Sequence, residues 1–414
     1  MKKIFIFITV IALVLTLGFL SSGCKSQTAE TTAAETIAAP AETTAAETTA
    51  APETTAASNE LDPWVASAWA EVDQYRHPIP EGFKGPNGEK VTLDVDSLKI
   101  TTAEVEKVRE MNLKVGLPWH VLQGEYFTAW QKGTHDACEY FNMEIVAETD
   151  AGFDPAKQKS DIESMMPLKP DVLIAAPADV TTGAEAFRPA VDAGIKLSLI
   201  SNIPLGYKKG VDYIGLSTSN CHDIGVFANE TAKDLLGEGG KIGLLIWAQE
   251  YWFANYADNI VVDNIADYGL EVVDNQGFVT GDDAYNAATA MILNHPDIQG
   301  FYITYMTPAL SVAAACVDAE RPDIKIITGS YDLPTLLNMA EGGNIQGITT
   351  DATYLVGVNS VIVAAYGFLG KEGPDYAVCP AIKMTLQNMR EVWKIGMRTP
   401  LAKEVDDALK KAGY

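Results

Sequence analysis

The chain has 414 residues, 47% of them hydrophobic and 21% charged, and 30 Lys and Arg stand against 55 Asp and Glu for a net charge of −25. This is a globular composition, and its acidity opposes phosphate backbones and anionic lipid headgroups alike, which excludes nucleic acid as a partner and purely electrostatic attachment to a membrane. The length suits two domains once the ends are set aside.

Residues 1–23 open with Lys2 and Lys3, run apolar from Ile4 to Leu20 and end in Ser21-Ser22-Gly23 before Cys24. That pattern predicts an export signal. A transmembrane anchor is the competing reading, but no basic flank follows the apolar run to hold it. The ending resembles the lipobox of bacterial lipoproteins, which implies that Cys24 is acylated and fixes the chain to a membrane. Leu20 departs from that pattern by standing four residues before the cysteine rather than three. Residues 24–60 are almost entirely Ala, Thr, Glu and Pro, and Ala-Glu-Thr-Thr-Ala-Ala-Glu-Thr beginning at Ala29 recurs at Ala41. Such a segment buries too little to offset its ordering entropy, and it reads as a disordered tether with a reach on the order of 30 Å.

Residues 61–112 read as a packed N-terminal extension. Asp62 and Pro63 have the form of a helix cap and first helical residue, with Val65, Trp69 and Val72 on one face, and Thr101 and Glu104 have capping-box spacing. A regular alternation then begins. Strands are predicted at Leu113 to Leu117, Met143 to Ala147, Val172 to Ala175 and Leu197 to Ile200, with a weaker one near Tyr213 to Leu216. Helices fall between them at Glu125 to Tyr140, Pro155 to Met166 and Gly183 to Ala193. After a helix near Ile224 to Leu236 the rhythm restarts, with strands at Ile242 to Ile246, Glu271 to Val273, Gly300 to Thr304, Lys325 to Thr328 and Gln346 to Thr349. The helices of this half are expected near Phe253 to Tyr268, Ala284 to Leu293, Pro308 to Ala319, Leu333 to Ala340 and Leu355 to Leu369. Apolar strands alternating with helices specify an α/β fold of right-handed βαβ units with parallel sheets, here in two halves.

Ligands of open parallel sheets bind beyond the carboxyl ends of the strands. Dinucleotide, P-loop and Gly-x-Ser-x-Gly signatures are missing there, and the five histidines lack metal-ligand spacing, so neither a cofactor nor a metal is predicted. Cys138 and Cys316 lie in apolar helical patterns as core residues; pairing among Cys138, Cys221, Cys316 and Cys379 is not readable from spacing. The loops instead combine rings with amides and carboxylates. The candidate ligand contacts are Trp119, His120, Gln123, Tyr126 and Phe127 after the first strand, Asp150 after the second and Asn202 after the fourth. The second half adds Gln249, Trp252, Tyr305, Asp332 and Asp351. Phe153, Ser201, Trp247, Glu250, Tyr251 and Tyr331 accompany them. Rings stack on the C–H faces of a sugar while amides and carboxylates pair with its hydroxyls, which points to a carbohydrate or polyol. Trp119 and Trp252, at loop-to-helix junctions, are assigned to the ligand rather than to packing. Tyr126 and Phe127 should diverge on a helix, leaving one of them for the cleft. Asp332 could equally cap the following helix, and Glu125 and Glu250 could stabilise helix N-termini.

Leu113-Lys114-Val115-Gly116 before an aromatic loop, Asp154-Pro155-Ala156-Lys157-Gln158, Pro170-Asp171-Val172-Leu173-Ile174 with Pro177 and Asp179, and Ala193-Gly194-Ile195 form an ordered series. It continues with Asn294-His295-Pro296-Asp297-Ile298 and with Gly343-Asn344-Ile345 ahead of Asp351. From Leu113 to Thr385 the chain resembles the type I periplasmic binding proteins of the ribose and galactose class. The resemblance implies two Rossmann-like lobes joined by three crossovers, near Ser217 to Asn220, Asp351 to Thr353 and Ile382 to Thr385. Lobe I would comprise 113–217 with 353–381, and lobe II 218–352 with 382–414, including the C-terminal tail. It also implies a monomeric, non-enzymatic, extracytoplasmic protein that delivers a small ligand to the permease of an ABC transporter. The chain departs from sugar-binding relatives at Ser201-Asn202, commonly Asp-Arg, at Tyr305-Met306, often Asn-Asp, and at Asp351, often Gln. Without the Arg fork, and with the extra aromatics, the expected ligand shifts toward a different or modified sugar, a polyol or another small polar ligand. The alternatives are a sugar-sensing ectodomain feeding a receptor, and a hydrolase using a carboxylate pair such as Asp332 and Asp351.

Overall fold

The computed structural model describes residues 60–414; the leader, Cys24 and the spacer as far as Asn59 lie outside the described residues. Thirteen strands, numbered along the chain, form two sheets. The first contains β1 (Val91–Leu93), β2 (Lys114–Trp119), β3 (Glu144–Asp150), β4 (Val172–Ala175), β5 (Lys196–Ile200) and β6 (Gly215–Ser219). The second contains β7 (Lys241–Trp247), β8 (Glu271–Phe278), β9 (Gly300–Ile303), β10 (Lys325–Gly329) and β11 (Ile345–Asp351). The chain then returns to the first sheet for β12 (Tyr376–Cys379) and ends in the second with β13 (Ala381–Met384). The orders are β1-β12-β6-β5-β4-β2-β3 and β13-β11-β10-β9-β7-β8. All neighbours are parallel except β13, which runs antiparallel to β11.

The central strands are continuous apolar runs because helices cover both of their faces. All four residues of β4 are buried, and so is all of β5 after Lys196. The anticipated caps form: Asp62 accepts from the Trp64 and Val65 amides, Thr101 and Glu104 close a capping box, and Asp154 caps the helix beginning at Pro155. Sequence periodicity missed β1, β12 and β13. Each has only three or four residues, and β12 and β13 are separated by the single residue Pro380.

The chain passes between the sheets at Asn220, Ala352 and Pro380. The third passage lies just ahead of the segment Ile382 to Thr385 that the resemblance implied. The three are laced together: the Asn220 amide donates to the Cys379 carbonyl and the Ala352 amide to the Pro380 carbonyl, each at 3.0 Å. Three adjacent, bonded passages make a narrow waist between the two sheets. Cys138, Cys221, Cys316 and Cys379 are buried thiols, with no disulfide among them.

Both ends of the described chain are built onto this frame. The extension places β1 beside β12, so that β12 is an interior strand. A buried network fixes it to the helix Thr353–Leu369: the Trp69 indole donates to Asn359 at 3.0 Å, Asn359 donates to Asp94 at 2.9 Å, and Asp94 pairs with Arg76. At the other end, helix Met389–Met397 packs on the helices Glu125–Tyr140 and Thr353–Leu369 of the first lobe, and helix Lys403–Lys411 packs on Leu333–Ala340 of the second.

Two features hold the edges where the strands stop. Helix Glu125–Tyr140 crosses Thr353–Leu369 in backbone contact, since a Cβ on Gly133 would strike the Tyr354 carbonyl and one on Gly357 the Trp130 carbonyl. In the second lobe, buried Asp258 accepts from the Trp247 amide at 2.9 Å, the Tyr302 hydroxyl at 2.8 Å and the Thr304 hydroxyl at 2.9 Å, tying the ends of β7 and β9 to one helix.

Gly357→Ala should therefore cost about 1–3 kcal/mol in denaturant unfolding, by forcing apart helices that have no space to yield. Asp258 gives a pH signature. Burial raises its pKa from 3.8 to about 6, against the bonds from Trp247, Tyr302 and Thr304 that lower it. The folded protein thus holds this proton longer than the unfolded chain does. The associated stability is complete below about pH 4 and is lost as pH rises through about 6, to the extent of roughly 3 kcal/mol. Asp258→Asn, which does not ionise, should remove that part of the decline when unfolding free energies are compared from pH 4 to 7.5.

Candidate functional site

The loops after β2, β3 and β7 meet between the lobes in a cluster of rings centred on His120. Its imidazole stacks on Tyr251 of the opposite lobe, with centroids 6.0 Å apart and planes 5° from parallel. Phe127 and Phe153 approach it edge-on at 5.4 and 5.1 Å. Burial pushes the His120 pKa down to about 3, so the ring is neutral near pH 7. Its Nε2 shares a long 3.4 Å hydrogen bond with the Tyr251 hydroxyl, and its Nδ1 has no partner.

A second group lies where the lobes meet at Asp351, the last residue of β11. The Tyr126 hydroxyl donates to Asp351 Oδ2 at 2.6 Å, joining the first turn of the Glu125 helix to the opposite sheet. Burial raises the Asp351 pKa, against the hydroxyls of Ser219, Tyr126 and Thr353, which lower it. Ser219 and Thr353 lie near the carboxyl without bonding Oδ1, Thr353 donating instead to the Asp351 backbone carbonyl at 3.2 Å, so Asp351 Oδ1 is buried with no partner, as are Asn202 Oδ1 and the Tyr331 hydroxyl. Asn202 uses its amide nitrogen on the Pro177 carbonyl at 3.1 Å. Glu125 reaches across as well, accepting from the Leu333 amide at 3.1 Å at the N-terminus of the facing helix.

Beside these groups a cavity of about 310 Å³ separates Phe153, Pro155, Ala178 and Asp179 of one lobe from Trp247, Gln249, Glu250 and Tyr251 of the other. Its size is at the lower end for small-molecule sites. Phe153, Ser201 and Ser330, which follow β3, β5 and β10, have φ of 62°, 61° and 62°. Left-handed backbone at a residue other than glycine costs on the order of 1–3 kcal/mol, and such strain concentrates at functional sites.

The residues predicted from sequence divide into three groups. His120, Tyr126, Phe127, Asn202 and Asp351 are buried at or beside the meeting of the lobes. Tyr126 and Phe127 do not part as expected: their rings touch edge-on at 5.1 Å, and both join the cluster, because the helix N-terminus inserts between the lobes instead of lying along a surface. Gln249 is exposed at the cavity wall, Tyr305 packs edge-on against Trp247 at 5.2 Å, and Gln123 is exposed on its loop. The remaining four have other partners. Trp119 is 1% exposed, with its indole N–H on Glu148 at 2.7 Å; Gln131 and His135 of the overlying helix bind that same carboxylate, so Trp119 packs on the face of the sheet. Trp252 packs on Tyr256 and Tyr376. Asp150 braces the Leu122 and Gly152 amides at 3.1 and 2.9 Å. Asp332 caps its helix, accepting from the Thr335 amide at 2.8 Å. Phe153 and Tyr251, expected only to accompany the ligand contacts, are central to the cluster; the signal available was an aromatic residue in the short loop between a strand and the next helix in each half.

Residues 115–372 match a family model described as a periplasmic binding protein domain. The ribose import binding protein RbsB of Bacillus subtilis (strain 168) is 26% identical over 216 residues, spanning 51% of this chain and 68% of that protein. An ABC transporter solute-binding protein from Agrobacterium vitis, solved with α-D-tagatopyranose, has the same fold with a TM-score of 0.63 at 18% identity, covering 70% of this chain and 100% of its own. The arabinose-binding protein AraP from Geobacillus stearothermophilus gives 0.60 at 20% identity, over 67% of this chain and 98% of its own. The family match runs through both sheets and over more than half of the sequence, and the chain belongs to the periplasmic binding protein family.

Proposed function

We propose that this protein captures one monosaccharide, polyol or related small polar ligand between its lobes and delivers it, without altering it, to the permease of an ABC importer. The observation that carries this reading is the set of buried polar atoms lacking partners, His120 Nδ1, Asn202 Oδ1 and Asp351 Oδ1, held among rings where the lobes meet. An unpartnered buried polar group costs roughly 1–3 kcal/mol, and a ligand rich in hydroxyls satisfies several at once while its C–H faces lie on the rings. RbsB is named for ribose and the Agrobacterium protein was solved with a sugar, which supports the ligand class. A hydrolase built on Asp332 and Asp351 is disfavoured, since the Asp332 carboxylate is occupied in capping a helix. The lobes, taken as 113–217 with 353–381 and as 218–352 with 382–414 but with helix Met389–Met397 resting on the first, would close on the ligand by turning about the three passages.

The same reading places the protein outside the cytoplasm, monomeric and lipid-anchored through Cys24, on the strength of Ser21-Ser22-Gly23-Cys24 after an apolar leader. Among the described residues no helix is long and apolar enough to cross a membrane. Cys24→Ser should shift the protein from the membrane to the soluble fraction and abolish metabolic labelling with a fatty acid; retention of both would refute the anchor.

In a thermal-shift screen of sugars and polyols, one ligand class should stabilise the protein, by about 2.7 kcal/mol at a concentration 100-fold above its Kd. Asn202→Ala should weaken calorimetric binding of that ligand by roughly 5- to 150-fold, because it removes an acceptor inside the closed cleft. Stabilisation by amino acids or peptides alone would contradict the assignment.

A further inference from the structure

The charges at the meeting of the lobes are all of one sign. The last residues of β2, β3, β4, β7, β10 and β11 and the loops after them, with the residue that opens each following helix, hold Glu125, Asp150, Asp154, Asp179, Glu250, Asp332 and Asp351, and no Lys or Arg. The long loop after β5 does carry Lys208 and Lys209, but it leads away from the cleft: Lys209 is beside Glu372 and Asp375, near Lys196 at the opposite end of β5. The one cation in the first turn of the helices that follow these loops, Lys157, is bound to Asp161 one turn farther along its own helix, at 2.8 Å. His120, the one basic ring in the cluster, is fully buried and neutral near pH 7.

The unpartnered groups have the matching character. Asp351 Oδ1 and Asn202 Oδ1 are acceptors, each on a side chain no more than 1% exposed, and they call for donors from a ligand. A carboxylate or phosphate brings acceptors alone, and it would meet neither a guanidinium fork nor an ammonium. It would also be repelled by the acidic rim of Glu125, Asp179 and Glu250.

Resting on the reading of this cleft as a site for hydroxylated ligands, we infer that it is a charge filter: it takes carbon skeletons that are neutral or carry a protonated amine, and rejects the same skeletons bearing a carboxylate or phosphate. The rings favour the amine further, since their faces attract cations.

The test is a matched set titrated by calorimetry at pH 7.5: glucose with glucosamine, glucuronate and glucose 6-phosphate; galactose with galactosamine and galacturonate; ribose with ribose 5-phosphate. For every skeleton whose neutral form binds, the acidic form should bind at least roughly 100-fold more weakly, as like charges juxtaposed across an interface do, and the amino form within about tenfold of the neutral one or more tightly. The double variant Asp351→Asn with Glu250→Gln should narrow the gap between neutral and acidic forms; this ratio within one protein is independent of any general loss of affinity. Acidic forms binding within tenfold of their neutral counterparts, or a gap unchanged in the double variant, would overturn the filter and leave the sugar reading standing. Failure of every neutral, amino and acidic form to bind would instead remove the sugar reading and the filter with it.

Discussion

Burying polar atoms between two protein surfaces is costly unless each finds a partner, and that constraint organises this molecule. The Tyr126–Asp351 bond satisfies one oxygen of a carboxylate sealed between the lobes and leaves the other free. His120 repeats the pattern, with one nitrogen facing Tyr251 and the other unpaired. Closure without a ligand leaves these desolvation penalties in place; closure around a ligand that donates removes them. The preference of the closed form for one ligand is then the difference between those two states, and no covalent chemistry is needed.

The rest of the fold serves to place these few atoms. Gly133 and Gly357 let two helices approach closely enough to hold the first turn of the Glu125 helix at the cleft. Asp258 gathers the ends of β7 and β9 so that Trp247 and Tyr305 face each other. The waist at Asn220, Ala352 and Pro380 ties the three passages between the sheets to one another. The N-terminal extension and the C-terminal helices pack around this frame. The extension is held to the first lobe through Asn359, and the two C-terminal helices rest one on each lobe, with Trp393 close to Tyr331 beside the cleft.

Much of the architecture was legible in the sequence because it is written in local periodicity. The helices Glu125–Tyr140 and Leu333–Ala340 and the strand β4 stand where apolar spacing and caps placed them. The strands β12 and β13 were not legible, because their identity depends on distant partners, β6 and β11, and not on a pattern of their own. The site was legible by region and less so by residue. Loop position alone does not say which way a ring turns: Trp119 and His120 are consecutive, yet one bonds Glu148 on the sheet face and the other enters the cleft. Alternation along a strand makes neighbours diverge in this way, and the side each takes was fixed by Glu148, whose demand for donors a single sequence does not display.

The central claim is that a hydroxylated ligand completes the unpaired groups between the lobes. A crystal structure of the complex with the sugar or polyol that stabilises the protein most addresses it directly. The account predicts ligand hydroxyls within hydrogen-bond distance of Asp351 Oδ1 and Asn202 Oδ1, with a C–H face of the ligand against the His120 and Tyr251 cluster. A ligand bound outside the cleft, or one inside it that leaves both oxygens unpaired, would contradict it.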